Sequence, residues 1–233
     1  MIQEDSPRQS NQPLKYKIRR AGPLDAYIYK ERTDEDDVKE SKENVMIHLP
    51  RSTNIDTSLI PTQLRQKDNI LHIFTDGACT NNGKKNANAA WGALLVSDIG
   101  YVVLDRFSGA VPIREPQTNQ RAELRALLRG LEIAEEKLKA DPGLTKVQIW
   151  SDSEYSIKCA SVWGPNWKRN GWKKQGGDIQ HLDIIQHLVI GTQRLGLAIE
   201  YKWLKGHKGG DSQYQFPWMF NHQVDALATS ALR

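Results

Sequence analysis

Two short apolar runs end in the same way. NILHIFTDG (residues 69–77) and KVQIWSD (146–152) are each rich in β-branched and aromatic residues, and each runs into an aspartate. Such runs read as buried strands. Between them lies TNQRAELRALLRGLEIAEEKLKADPG (118–143), where Leu124, Leu127, Leu131, Ala134 and Leu138 recur on one helical face. Thr118 or Asn119 is placed to cap its start, and Pro142-Gly143 stops it. If the two strands are parallel neighbours, Asp76 and Asp152 stand side by side, where open α/β sheets gather their ligand sites.

The rest of the chain completes the pattern. AAWGALLVS (89–97) and YVVLDRFSG (101–109) are strands joined across Asp98-Ile99-Gly100, the signature of a hairpin. EYSIKCASVW (154–163), DIQHLDIIQHLVIGTQRL (178–195) and NHQVDALATSALR (221–233) read as helices, and LAIEYKWLKGH (197–207) as a strand. The expected architecture is α/β: a five-stranded mixed sheet, opening with an antiparallel meander and continuing as βαβ units, flanked by helices.

Residues 1–67 differ from this. RTDEDDVKESKE and scattered Pro, Ser, Asn and Gln show no sustained period, so a mixed-charge, largely disordered or loosely packed extension is expected before a domain at 68–233. Within it, PLDAYIYK and NVMIHLP are the stretches able to pack as strands, and the basic run KYKIRR reads as a solvated surface. No apolar run approaches the length of a membrane span, and the first residues lack a signal peptide's apolar centre. An intracellular protein, nuclear or cytoplasmic, is expected, with Cys79 and Cys159 as free thiols. The formal charge of +4 is mild, so what matters is where the charge sits.

Four acids sit where solvated acids do not belong. A capping role explains Asp76 or Asp152 taken alone. Glu123 lies in the first turns of the long helix between Ala122 and Leu124, and Asp225 beside Val224 in the last helix. Four half-buried carboxylates near element ends suggest an oxygen-ligand site for a hard cation, Mg²⁺ or Mn²⁺. The His and Cys clusters that zinc prefers are absent from the sequence.

TDGACTNNG, TNQRAEL, SDSEYSI, WKRNGWK and NHQVDALA occur in that order. Together they resemble type 1 ribonuclease H over roughly residues 70–233. The resemblance implies the RNase H-like fold and endonucleolytic hydrolysis of the RNA strand of RNA/DNA hybrids with two divalent ions, leaving 5′-phosphomonoester ends. Mg²⁺ is the implied ion, with Mn²⁺ as a substitute. It also implies that Asp76, Glu123, Asp152 and Asp225 are the catalytic and metal-binding acids, with Asp76 bridging the ions. His207, in KGHKGG, matches the loop histidine that assists turnover. A free-standing enzyme acting as a monomer away from membranes is expected. The alternatives are a catalytically weak binding module of this fold and a ribonuclease H domain derived from a retroelement.

Between Glu154 and Asp178 no acid occurs, whereas Lys158, Lys168, Arg169, Lys173 and Lys174 stand among Trp163, Trp167 and Trp172. Cations interleaved with flat aromatic rings suit a nucleic-acid strand. The Gly-rich GPNWKRNGWKKQGG argues against a continuous packed helix and resembles the family's basic protrusion, with Trp163 and Trp167 at its aromatic positions. RNA is told from DNA by its 2′-hydroxyls, and Asn and Gln amides both donate and accept hydrogen bonds. Asn82, Asn119 and Gln120 occupy the family's positions for that task, with Cys79 and Asn81 in the same loop. Thr118 matches a residue of the pocket for a DNA phosphate. That pocket is altered: Pro116 stands where an Arg is frequent and Gln180 where an Asn is, with Arg114 near enough in sequence to substitute. The inserted DSQYQFPWMF carries Tyr214, Phe216, Trp218 and Phe220, which suit a lid or a contact with another partner.

Overall fold

The computed structural model describes residues 16–22, 25–30, 70–206 and 215–232. The chain divides into two units, residues 1–52 and 53–233. In the first, strands β1 (Tyr16–Gly22) and β2 (Asp25–Lys30) pair antiparallel as a two-stranded sheet. PLDAYIYK thus contributes a strand, but to a hairpin; NVMIHLP lies outside the described residues.

The second unit holds a five-stranded sheet in the order β5-β4-β3-β6-β7. Its strands are β3 (Ile70–Thr80), β4 (Asn88–Ser97), β5 (Val103–Ala110), β6 (Lys146–Ser151) and β7 (Ile199–Trp203). The β3, β4 and β5 meander is antiparallel, and β3–β6 and β6–β7 are parallel, as the strand-helix-strand order requires. The mixed α/β architecture expected from the periodicity is the one observed. Gly100 and Tyr101 both take positive φ in the β4–β5 turn.

Helix α1 (Asn119–Ala140) is capped by Thr118, whose side chain accepts from the Arg121 backbone N–H. Its Leu124, Leu127 and Leu131 are buried with Ile73, Leu95 and Ile149 of the sheet and with Ile185 and Leu188 of helix α4 (Leu182–Leu195). Each such burial is worth about 1.5–3 kcal/mol. Between β6 and α4 the chain forms α2 (Glu154–Lys158), one π-helical turn (Cys159–Trp163) and α3 (Gly164–Arg169). The Gly-rich stretch therefore carries the helix onward to Arg169, which corrects the sequence expectation. Pro165, which has no N–H to give to the helical ladder, follows directly on the π-helical turn.

Side chains alternate along β3, so Ile73 and Thr75 meet α1 while Phe74 faces the other way. Phe74 stacks on Trp150 and packs with Phe220 of helix α5 (Trp218–Ser230). Phe216 joins them, stacking on Tyr101 at 4.3 Å between ring centres and lying edge-on to His72 and Trp150. His72 is buried: its Nδ1 accepts from the Trp150 indole at 3.2 Å, so its Nε2 carries the hydrogen toward Asp98 at 2.9 Å. Two of the aromatics of the insertion, Phe216 and Phe220, thus belong to the packed interior rather than to a lid. The Trp218 indole donates to the Lys205 carbonyl at 3.2 Å, joining the start of α5 to the end of the preceding strand segment. Tyr214 lies outside the described residues.

Candidate active site

The parallel ladder between β3 and β6 ends at the pair Phe74–Trp150. Two residues further along each chain stand Asp76 and Asp152, at equivalent places past the last pair. Strand β3 does not stop there: Asp76 still pairs with Gly92 of β4, and the strand runs on to Thr80 before Asn81 turns at φ 51°. Asp76 is therefore inside a strand but beyond its parallel partner, a refinement of the expected strand end.

Gly77 brings the third acid in. A β-carbon there would lie 2.3 Å from the Glu123 nitrogen, so only glycine lets α1 approach β3 this closely. Carboxylate oxygens of Asp76, Glu123 and Asp152 all lie within 4.8 Å of one another. Asp76 is 5% exposed and Glu123 7%. The Glu123 Oε2 is buried without a hydrogen-bond partner. Asp76 Oδ1 accepts from the Gly77 N–H at 2.8 Å, which is too little to offset the crowding. Burial, then the charges of Asp152 and Asp225, push the Asp76 carboxyl up to about 8. Burial, then Asp76 and Asp152, hold Glu123 well above the usual carboxylate range. Asp225, half-buried on α5, reaches the cluster through its charge and lies outside the 4.8 Å group. Its helix is seated against β4 at Gly92, where a β-carbon would come 2.9 Å from the Val224 carbonyl.

This donor set fits a hard divalent cation. It offers only oxygens, it is anionic, and one buried oxygen has no partner within the protein. His207 lies outside the described residues.

The loop after β3 and the start of α1 form one surface. Asn82 Oδ1 accepts from the Asn119 backbone N–H at 3.2 Å, and the Cys79 thiol faces the Gln117 carbonyl at 3.7 Å. Asn81 donates to the Asn86 carbonyl at 3.4 Å. Asn119 and Gln120 are exposed in the first turn of α1. The Thr118 hydroxyl is engaged as the helix cap. Gln117 holds the loop before α1, donating to the carbonyls of Pro112 and Glu115 while its own oxygen accepts from Ala89. The sequence reading missed this clamp, since nothing in a lone Gln marks it.

A cavity of about 420 Å³ opens beside that surface, lined by Gln120, Tyr155, Trp163, Trp167, Lys174 and Gln180 among others. It unites three elements that the sequence singled out separately and adds Tyr155. Lys168 and Arg169 line a different cleft, with Ser161, Val162 and Gln193, and Lys168 donates to Gln193 at 2.6 Å. The protrusion's cations are thus divided between two flanks. Trp167 and Trp172 pack partly on the core, Trp172 at φ 61°, and Lys173 is exposed. Arg114 and Pro116 are exposed on the loop before α1 and line neither cavity. The buried cation near that pocket is instead Arg121, paired with both oxygens of Asp183 at 2.7 and 2.6 Å and with Glu115 at 2.7 Å.

A mixed sheet with acids clustered beyond the ends of its central parallel strands defines an α/β protein built to hold a divalent cation at a polar surface. The family model for RNase H matches residues 68–233, and the chain belongs to the RNase H family. The Ribonuclease H of Pseudomonas fluorescens is 35% identical over 158 residues, 67% of this chain and 93% of that protein. The Ribonuclease H of Nitrosococcus oceani is 34% identical over 165 residues, 70% of this chain and 94% of that protein. Among solved structures, the PFV RNase H domain superposes with a TM-score of 0.58 at 24% identity, covering 69% of this chain and 93% of that one. That likeness is one of fold. The family is that of divalent-metal-dependent nucleases, and the acid cluster required for the ion is present. No helix among the described residues is long and apolar enough to cross a membrane.

Proposed function

We propose that this chain is an endonuclease that hydrolyses the RNA strand of RNA/DNA hybrids, using two Mg²⁺ ions that Mn²⁺ can replace. The observation that carries the reading is the cluster of Asp76, Glu123 and Asp152, with its unpartnered buried oxygen, beside an amide-rich surface. When bound, such ions activate water for in-line attack and stabilise the leaving oxygen. Asp76, Glu123 and Asp152 would hold them, with Asp76 shared between the two and Asp225 supplying the fourth acid. The raised pKa of Asp76 gives the cluster a reason to exchange protons for cations.

The remaining roles follow from the surface chemistry. Asn82, Asn119 and Gln120 offer amide groups to 2′-hydroxyls across a shallow minor groove, with Cys79 and Asn81 shaping the same loop. Trp163, Trp167 and Lys174, in the cavity with Gln120 and Gln180, suit the sugar faces and phosphates of the DNA strand. Lys168, Arg169 and Lys173 add longer-range attraction from the outer flank. His207 would assist turnover, a role that rests on the resemblance of KGHKGG. Because all four acids come from one chain, the site needs no second copy. Free Cys79 and Cys159 support an intracellular setting.

The test is cleavage of an end-labelled hybrid by the purified full chain with Mg²⁺. The wild type nicks the RNA and spares single-stranded RNA and double-stranded DNA; Asp76→Asn loses cleavage and keeps hybrid binding. Equal inertness of wild type and Asp76→Asn would hand the reading to a binding module.

A further inference from the structure

One buried polar side chain at the acid cluster has no role in the account above. Asn221, in the first turn of α5, is 6% exposed and lies one helical turn before Asp225, on the same face. Its Nδ2 donates to Asp152 Oδ2 at 3.4 Å. The orientation of the amide is forced. Turning it over would set its oxygen against a carboxylate oxygen, two acceptors in contact. The Oδ1 therefore points the other way, and it is buried without a partner. An unsatisfied buried carbonyl is costly, so an amide here would be a poor choice for packing alone. The same Asp152 oxygen is confined from a second side: a β-carbon on Gly206 would come within 2.4 Å of it. Asp152 is thus set between an amide donor and a glycine that leaves just enough room.

We propose that Asn221 is a positioning residue for Asp152, fixing that carboxylate with its N–H in the orientation the cation site needs. The inference rests on the metal-site reading above but concerns a residue that is not itself an acid ligand. The amide is neutral, so it orders Asp152 without adding to the repulsion that already burdens Asp76. Its placement four residues before Asp225 makes α5 answer for two acids at once: Asp225 directly, and Asp152 through Asn221.

Two substitutions in the full chain separate this from a packing role. Asn221→Ala removes donor and acceptor together. Asn221→Asp keeps the shape and the acceptor but, once ionised in the Mg²⁺-loaded site where kcat is read, cannot donate to Asp152. Mn²⁺ titrated calorimetrically into the free protein reports the site without any turnover. Asn221→Ala is expected to weaken Mn²⁺ binding about tenfold. Both variants are expected to lower kcat on a hybrid at saturating Mg²⁺ at least tenfold, with KM within twofold of wild type. Wild-type Mn²⁺ affinity in Asn221→Ala, or wild-type kcat in Asn221→Asp, overturns the proposal. Should Asn221→Ala fail to fold, judged by its thermal transition, the isosteric Asn221→Asp decides the matter. A wild type that binds Mn²⁺ yet cleaves nothing removes the nuclease reading, while the Mn²⁺ titration of Asn221→Ala still judges Asn221.

Discussion

Gly77 and Glu123 are in backbone contact: the place a β-carbon would take on Gly77 lies 2.3 Å from the Glu123 nitrogen and 2.8 Å from its α-carbon. The distance between β3 and α1, and with it the spacing of Asp76 and Glu123, is set by the absence of one methyl group. Gly77→Ala should push α1 off the sheet. The expected cost is about 2–4 kcal/mol in denaturant unfolding, in the range of overpacked cores and above it because backbone must move. Divalent-cation affinity should fall with it. Wild-type stability in Gly77→Ala would show that α1 is not held at this contact.

The crowded acids predict an unusual pH dependence. In the ion-free protein Asp76 titrates near 8, against an ordinary carboxyl value of 3.8 in the unfolded chain. Between those values the folded state binds the extra proton, so this group's contribution to stability is greatest at low pH and is lost as pH rises toward 8. Asp76→Asn, which cannot ionise, should stabilise the EDTA-treated protein at pH 8 by about 1–3 kcal/mol and leave it nearly unchanged at pH 4. Unfolding measured at the two pH values checks this. A destabilised Asp76→Asn at pH 8 would mean the cluster is not strained by its own charge.

Arg121 carries a structural load that its neighbours in sequence do not advertise. It is buried and holds Asp183 and Glu115 together, linking the first turn of α1 to the first turn of α4. Its guanidinium holds the Asp183 carboxyl down to about 2, so this pair persists until pH falls below the ordinary carboxyl range toward 2. Arg121→Met should destabilise the protein by about 1–3 kcal/mol at pH 7, because it leaves Glu115 with Arg125 alone and takes the guanidinium partner from Asp183. Chemical denaturation provides the measurement, and a loss below 1 kcal/mol would place the linkage elsewhere.

The division of the protrusion into two flanks makes its residues separable. Trp167 shares a cavity with Gln120 and Gln180, whereas Lys168 faces the other cleft. Trp167→Ala should weaken hybrid binding about tenfold at fixed salt and leave the salt dependence intact. Lys168→Ala should cost less and flatten the dependence on salt by about one unit of slope. Equal effects from both, with equal slopes, would mean the strand is gripped across both flanks.

Much of this molecule was written in its local patterns. The β3–α1–β6 unit followed from apolar periodicity and from caps at Thr118 and Pro142, because a strand-helix-strand order leaves one economical parallel arrangement. The acids were legible because a carboxylate flanked by core residues, as Glu123 is by Ala122 and Leu124, has few uses. What escaped depended on contacts between distant segments. Gly164-Pro165 looked like a break, yet the helix passes through it by way of a π turn. The start of α4 lies at Leu182 rather than 178 because His181 takes a left-handed conformation at φ 57°. Phe216 resembled an exposed aromatic until Tyr101 and His72, more than a hundred residues earlier, supplied its cage.

The bond from the Trp218 indole to the Lys205 carbonyl, with Phe216 seated under the sheet, closes the chain on itself on either side of the stretch that includes His207. Lys205 and Trp218 are thereby held together whatever the number of residues between them. Lengthening a loop whose ends are already joined adds little closure entropy, and it leaves Asp225 where α5 puts it. The spacing of Asp76 and Glu123 is fixed by a methyl-sized tolerance at Gly77, whereas the chain between Lys205 and Trp218 can change length without moving Asp225.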